Sequence, residues 1–382
     1  MRVLFIIPHP EEAASGRFRV LQYLPWLRRA GLECEVRPFM SRALYRVLYQ
    51  PGKLPQKATM ALGAVVKRLG DILRASRADV VVVHREALPL GTALIERAMA
   101  RWCPAFVFDF DDAIYLNHVS TANAWFRALK SPEKTAEIIT LSAHVVAGNS
   151  ILADYARRYN SQVSVIPTPV DTEQFRRRPA ASTNGRVVIG WIGSPTTAEY
   201  LRVIEGPLAT VASRYPAVDV TAIGAGSLPL NVPRVRMVPW HLDEEREQLH
   251  RFDIGVMPMP DDPWARGKCG FKALLYMSAG IPVVASPVGV NCAIIREGVN
   301  GYLATGDAVW TARLSQLIDD RALRERMGQA GRVIVEEEYA LNVHAPRWLA
   351  ILQQVARRRG NTTDAHTEIS ARERTLIDVV RS

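Results

Sequence analysis

Short runs of β-branched and other apolar residues alternate with longer amphipathic stretches along almost the whole chain. VLFIIP comes first, then FRVLQYLPWLRRAG, whose apolar positions recur at helical spacing and whose Gly31 reads as a C-cap. ECEVRPF and the runs at Val80 to Val83, Ala105 to Phe108, Val145 to Ala147 and Val163 to Ile166 repeat the strand pattern. The segments between them are long enough for crossover helices, so the pattern predicts a parallel sheet. It stops in PTPVDTEQFRRRPAASTNG, which has no periodicity, and restarts with RVVIGWIG, VDVTAIG, VRMV, DIGVMPM and IPVVAS. Helical sequence follows from about Ala308.

The fold class expected is therefore α/β, with two Rossmann-like domains facing each other across a cleft. The first covers residues 1–170, a linker 171–186, and the second 187–341. A helix over 342–358 is expected to pack back on the first domain, and 359–382 reads as a polar, mobile tail. A length of 382 residues suits two such domains. Ligands of open parallel sheets bind at the carboxyl ends of the strands, which places the site in the cleft.

Composition narrows the class. Hydrophobic residues make up 48% of the chain, yet no run approaches the roughly 20 apolar residues of a membrane span. MRVLFIIPHP passes from strand-like residues straight into a loop, so neither a signal peptide nor a transmembrane helix is expected. Cys34, Cys103, Cys269 and Cys292 are scattered, without metal-ligand spacing, which fits a reducing cytoplasm and no metal site. The net charge is +10, and the segment from Arg17 to Arg77 holds all of it: 13 basic residues against Glu33, Glu35 and Asp71. Such clustering marks an acidic partner. The segment mixes its cations with Tyr45, Leu48, Tyr49 and Leu62, as an element lying on an anionic membrane surface would, although a solvated helix face has the same composition.

Two motifs suit a diphosphate. In GWIGSPTTAEYL a strand ends at Ile192-Gly193-Ser194-Pro195 and a helix starts near Thr197. Gly193 allows close backbone approach, while Ser194, Thr196 and Thr197 offer hydroxyls beside helix N-terminal amides. Strand-glycine-helix junctions also recur for packing alone. In DDPWARGKCGFKALLYMSAGIPVVAS, Lys268 and Lys272 flank Gly270 where a loop enters a helix ending at Ser278-Ala279-Gly280. A lysine at a helix start opposes the macrodipole unless an anion is bound.

A third segment, FDFDDAIYLNH, carries Asp109, Asp111, Asp112 and His118 at a predicted strand end. Carboxylates so close repel one another unless sugar hydroxyls, a cation or basic groups meet them. Sugar hydroxyls are the preferred partners. A divalent cation competes, and the structural reading has Asp109 capping a turn and Asp112 paired with an arginine. Trp240 and His241 follow a strand where an aromatic could stack on a nucleobase, or simply pack. His9, His84 and Arg85 also fall at strand ends, where capping or core histidines are commoner than functional ones, and no role is assigned to them.

These residues together resemble the retaining glycosyltransferases of family 4, also called group 1, which have the GT-B fold. Lys272-Ala273-Leu274-Leu275-Tyr276-Met277-Ser278-Ala279-Gly280-Ile281-Pro282-Val283-Val284-Ala285 is similar to the family's EYMA-x-G-x-PVVA helix. GVNGYL from Gly298, RALRERMGQAGR from Arg321 and IPTPVDTEQF at the domain junction add to it, and the resemblance runs to about Arg358. It implies donor phosphate on Lys272, and diphosphate contacts at Gly193 and Ser194. It also implies that Gly16 of ASGRFRVLQYLPWLRRAG faces that phosphate, with Arg17 and Arg19 beside it on the acceptor or phosphate side. The donor-binding set expected is Gly16, Gly193, Ser194, Thr196, Trp240, Lys268, Gly270, Phe271 and Lys272. Asp111, Asp112, His118 and Lys272 are the expected catalytic residues. The sequence departs from the family at Gly267 and Leu275, where relatives have two glutamates, the second on the ribose. Asp261 or Asp262 is a candidate substitute.

The implied activity is transfer of a hexose-like sugar from a nucleoside diphosphate donor, UDP or GDP, to an acceptor hydroxyl, with retention. No further cofactor and no nucleic acid are expected. The acceptor implied is a glycan or lipid-linked glycan of surface-polysaccharide or glycolipid assembly, met on the inner face of the plasma membrane. The rival readings are a sugar-nucleotide epimerase and an inactive sugar-nucleotide-binding scaffold. A dinucleotide oxidoreductase is disfavoured because no GxGxxG opens a helix after either first strand, and IGAGSLPL breaks at Pro229.

Overall fold

The computed structural model describes residues 1–48, 52–89, 91–116, 131, 133–178 and 185–358. Strands β1 (Arg2–Ile7), β2 (Glu33–Pro38), β3 (Val80–His84), β4 (Phe106–Phe110), β5 (His144–Ala147) and β6 (Val163–Val165) form one sheet in the order β2-β1-β3-β4-β5-β6. A second sheet holds β7 (Val187–Ile192), β8 (Val218–Ile223), β9 (Val235–Val238), β10 (Ile254–Met257), β11 (Val283–Ala285) and β12 (Gly301–Leu303), ordered β12-β11-β10-β7-β8-β9. Every pairing in both sheets is parallel. Helices cover both faces of such sheets, which is why β3, β4 and β5 read as continuous buried runs and not as alternating ones.

The crossovers of the first sheet are α1 (Ala14–Arg19), α2 (Leu24–Arg29), α3 (Arg42–Leu48), α4 (Leu54–Ala75), α5 (Leu94–Trp102), α6 (Glu133–Leu141) and α7 (Ser150–Arg157). Those of the second are α8 (Pro195–Ala198), α9 (Glu205–Arg214), α10 (Glu245–Leu249), α11 (Pro263–Arg266), α12 (Phe271–Ser278) and α13 (Asn291–Ile294), followed by α14 (Gly306–Asp319) and α15 (Arg321–Ile334). The chain then returns. Val170 and Ala340 pair as a bridge, so the two passes between the sheets lie side by side. The closing helix, 341–358, buries Ala345, Trp348, Ile351, Leu352 and Val355 in the core of the first sheet. Trp348 meets Tyr23 edge-on at 6.0 Å.

Each sheet has one place where the strand order reverses direction, and ligands of open α/β sheets enter there. In the first sheet it lies between β1 and β3, and in the second between β7 and β10. The sequences that leave those four strands are the ones rich in His, Ser, Gly and Lys.

One charged side chain interrupts the apolar run of β4. Asp109 is fully buried and forms an ion pair with Arg19, itself fully buried at the end of α1. Arg19 also donates to the carbonyl of Ile166 at 2.6 Å. Burial opposes ionisation of Asp109, but the Arg19 charge and the His84 hydrogen bond override it and hold the carboxyl below its ordinary value. Asp109→Asn leaves a buried guanidinium without a counter-charge, a loss of about 3–5 kcal/mol. A carboxylate with a lowered folded pKa stabilises above its unfolded value of about 3.9 and loses that contribution as pH falls through the folded one. Urea melts should therefore show the variant less stable at neutral pH, and the gap to wild type closing below about pH 4.

Candidate functional site

The first-domain half of the site is built on strand register. His84 and Asp109 are direct partners in the β3–β4 ladder, so both side chains project to one side. Nδ1 of His84 lies 2.7 Å from Asp109 Oδ2, and its Nε2 lies 2.6 Å from Ser15 Oγ, in the first turn of α1. The Ser15 hydroxyl also reaches both oxygens of Asp111, at 3.0 and 3.1 Å. Arg85, in the left-handed region at φ 60°, turns its guanidinium across the end of β4. Its Nε donates to Asp111 at 2.7 Å and its terminal nitrogen to Asp112 at 2.5 Å.

The acidic run is thus compensated from within the chain, and its repulsion is relieved by Arg19, Arg85 and Lys268. Burial works against the Asp111 charge, but Arg85 and then His84 overcome it and hold the carboxyl well below the usual range. Beside them, burial and the Arg85 charge push the His9 imidazole down to about 3, so His9 is neutral at any ordinary pH.

The second-domain half centres on α12. Gly270 enters it at φ 66°, a conformation that favours glycine, and leaves the first-turn amides pointing out of the helix. Tyr276, one turn beyond Lys272, is fully buried, and its hydroxyl accepts the Ile192 amide at 3.0 Å and donates to the Val256 carbonyl at 3.4 Å. This bond fastens the helix to the end of β7 and sets Lys272 against Gly193. A Cβ on Gly193 would stand 2.5 Å from Trp191 Cζ2 and 2.8 Å from Lys272 Cε, so the contact needs glycine. Among the described residues Lys272 forms no ion pair. Its ammonium lies 5.4 Å over the Trp191 ring, and burial, helped by Lys268 and opposed by Asp112, lowers it to about 8.

The two halves touch. Phe18 of α1 inserts between Phe271 and Phe175, with ring centroids 4.2 and 5.8 Å away. Arg17 holds Glu245 through two bonds of 2.5 and 3.0 Å, and the Trp240 indole donates to the same carboxylate at 3.0 Å. Lys268 is 3.5 Å from Asp112, and the Asn149 side chain donates to the Gly267 carbonyl at 2.9 Å.

Residues 186–320 match the family model described as Glycosyl transferases group 1. The second domain is a group 1 glycosyltransferase domain. Curated relatives include D-inositol 3-phosphate glycosyltransferases. The one from Salinispora arenicola is 25% identical over 55% of this chain and 56% of its own length, and the one from Corynebacterium efficiens is 26% identical over 49% and 51%. The chain thus spans about half the length of the curated relatives it matches. Solved structures share the fold over nearly the full chain. A glycosyltransferase from Rickettsia africae superposes with a TM-score of 0.66 at 14% identity, covering 93% of this chain and 98% of its own. Anabaena HepE, crystallised with UDP and glucose, gives 0.63 at 13%, covering 94% and 99%. Sucrose-phosphate synthase of Thermosynechococcus elongatus gives 0.66 at 16%, covering 96% and 100%. With two parallel six-stranded sheets, the architecture is GT-B.

Against that frame the expected residues divide. Gly193, Ser194, Thr196, Lys268, Gly270, Phe271 and Lys272 gather at the mouth of the transferase domain's switch point. Ser194 and Thr196 are exposed there, with their hydroxyls 2.8 Å apart. Gly16 is buried in α1, where a Cβ would have ordinary room beside Ile7 and His9, so packing there does not require glycine. Arg19 is a correction: it is sealed beneath α1 by Asp109 and Ile166 and reaches no cleft. Tyr45 is another, since its ring packs edge-on against His9 at 5.8 Å instead of facing outward. Asp111 and Asp112 lie on the side of the first domain that faces the second, and their charges are met by Arg85 and Lys268. Asp262 caps α11 by accepting the Ala265 amide, and Asp261 pairs with Arg266 at the surface. His118 and Tyr49 lie outside the described residues.

The two departures from the family have a packing cause. A Cβ on Gly267 would fall 2.6 Å from Ala113 Cβ of the other domain, and Leu275 is buried in the transferase domain's core. Nothing in the local sequence marks Ser15, Asn149 or Glu245 as functional, and for His84 and Arg85 the only signal is their position at a strand end. Tyr276→Phe should leave the Ile192 amide unpaired in the core and lower the unfolding free energy by about 1–3 kcal/mol in urea melts. Unchanged stability would show that the hydroxyl does not tie α12 to β7.

Proposed function

We propose that the chain transfers a hexose-like sugar from a nucleoside diphosphate donor to an acceptor hydroxyl, with retention. The observation that carries this reading is Lys272: a cation of lowered pKa, without an ion pair among the described residues, at a helix start beside a glycine loop. An incoming diphosphate supplies the missing counter-charge, and the α12 amides and the Ser194 and Thr196 hydroxyls are placed to share it. Catalysis then comes chiefly from stabilising the departing diphosphate, with no protein nucleophile needed. Asp111, fixed by Arg85 and Ser15, and Asp112 orient the sugar and acceptor on the opposite wall. The acceptor is a glycan or lipid-linked glycan of surface-polysaccharide or glycolipid assembly. HepE binds UDP and glucose in its crystals, which makes UDP-glucose the first donor to try.

A second reading is a donor-binding protein without turnover. Gly267 and Leu275 favour it, because neither side chain can hydrogen-bond a ribose or hexose hydroxyl. Nucleoside diphosphate released only when acceptor is present supports the transferase and excludes this second reading.

Calorimetric titration with UDP and GDP sugars tests the shared part. Lys272→Ala should abolish measurable donor binding while leaving the melting temperature near that of wild type. Because the free ammonium titrates near 8, donor affinity should hold below that pH and fall above it, by roughly tenfold per pH unit while one proton is taken up on binding. A Lys272→Met variant should lack this dependence. Undiminished binding by Lys272→Ala sinks the assignment, as does wild type that binds no donor.

A further inference from the structure

Helix α4 presents its side chains the wrong way round for a helix of a water-soluble surface. Ala64, Arg68, Asp71 and Ala75 are buried, while Leu62, Val66, Leu69 and Leu73 are 65, 61, 50 and 68% exposed. The two sets have the same spacing and lie two residues apart, so they occupy opposite faces of one helix. The inner face is fixed by polar bonds. Arg68 donates to the carbonyls of Ile7 and Arg37, both at 3.1 Å, and to Asp71 at 3.0 Å, and Asp71 also accepts from Arg37 at 2.7 Å. Rolling the helix to bury its leucines would carry Arg68 and Asp71 out to solvent and leave the Ile7 carbonyl without its donor and Arg37 without its counter-charge, so the apolar stripe stays outside. From Leu62 to Leu73 it runs roughly 16 Å along the helix.

Charge selects the occupant. From Arg42 to Arg77 the sequence has eight basic residues, and the one acidic residue, Asp71, is consumed in the interior. Lys67 lies beside the stripe and Arg77 follows it, both exposed, and Arg74, also exposed, pairs with Glu35 of β2 at 3.4 Å. A second copy of the chain would bring like charge against like. A surface of anionic headgroups over hydrocarbon meets both features, with leucines entering the acyl boundary and cations on the phosphates.

We infer that the outer face of α4 docks this protein on anionic lipid bilayers, through Leu62, Val66, Leu69 and Leu73 and the cations beside them. The inference adds a definite surface to the lipid-linked acceptor reading, but rests on the helix itself. Vesicle co-sedimentation of the full chain, without donor, tests it. Wild type should pellet with phosphatidylcholine vesicles containing roughly 30% phosphatidylglycerol, not with phosphatidylcholine alone, and should be released by high salt. Leu62→Ser combined with Leu69→Ser should reduce partitioning at least tenfold with the melting temperature and donor titration unchanged. Equal binding to both vesicles, binding to neither, or undiminished binding by the double variant overturns the inference. So does sedimentation velocity that finds a wild-type dimer which the double variant dissociates. Failure there leaves the Lys272 donor grip intact, because that grip is read by titration without lipid.

Discussion

Asp109 carries its charge inside a strand with no water on either face, and that charge has to be met on the spot. Arg19 meets it from above and His84 from the neighbouring strand, so one carboxylate fixes the end of α1 and the tip of β3 together. Everything on the cleft wall follows from those two attachments. With Arg19 held down, Arg17 and Phe18 on the same short helix are directed toward the transferase domain. With His84 held, Ser15 is held, and through Ser15 so is Asp111. The wall that faces the donor side is a relay of polar contacts anchored in the core, and its rigidity comes from burial and not from the loops that carry it.

The transferase domain reaches a comparable result by different means. Its anchor is neutral, a tyrosine hydroxyl closing a backbone gap at the end of β7, and its product is a cation that forms no ion pair among the described residues. Where the first domain neutralises its charges internally, the second keeps one in reserve. Arg17 and Lys268, also cations of the cleft, are engaged with Glu245 and Asp112 across the domain boundary. A doubly charged ligand would have to compete with those carboxylates for the arginine and lysine, but not for Lys272.

How much of this could be read along the chain depends on whether the cause was local. Strands were legible because both faces are buried and the residues run apolar without alternation. Lys272 was legible because a lysine entering a helix after glycine contradicts the local field. Arg17 and Arg19 were not separable, since two residues apart on a helix means opposite faces, and only packing decides which one sees the cleft. His84 gained its meaning from register with Asp109, and register is not written in either segment alone. Glu245 sits in an acidic stretch that reads as a solvated helix face, and its partner lies 228 positions away. The missing glutamates looked like losses from the sequence. In the fold, Gly267 is pressed against Ala113, and the space a side chain would need is taken by the other domain.

The closing helix has a consequence for the order in which the protein can be made. Its five buried side chains complete a core whose first strand is Arg2–Ile7, so the two ends of the described chain meet in one domain. A ribosome delivers the β1 strand before the transferase domain and the helix 341–358 after it. The transferase domain, contiguous in sequence, can close its sheet while the amino-terminal one still shows an apolar groove beside Tyr23. Synthesis therefore finishes the first domain after the second, and that groove stays open until the closing helix emerges to fill it.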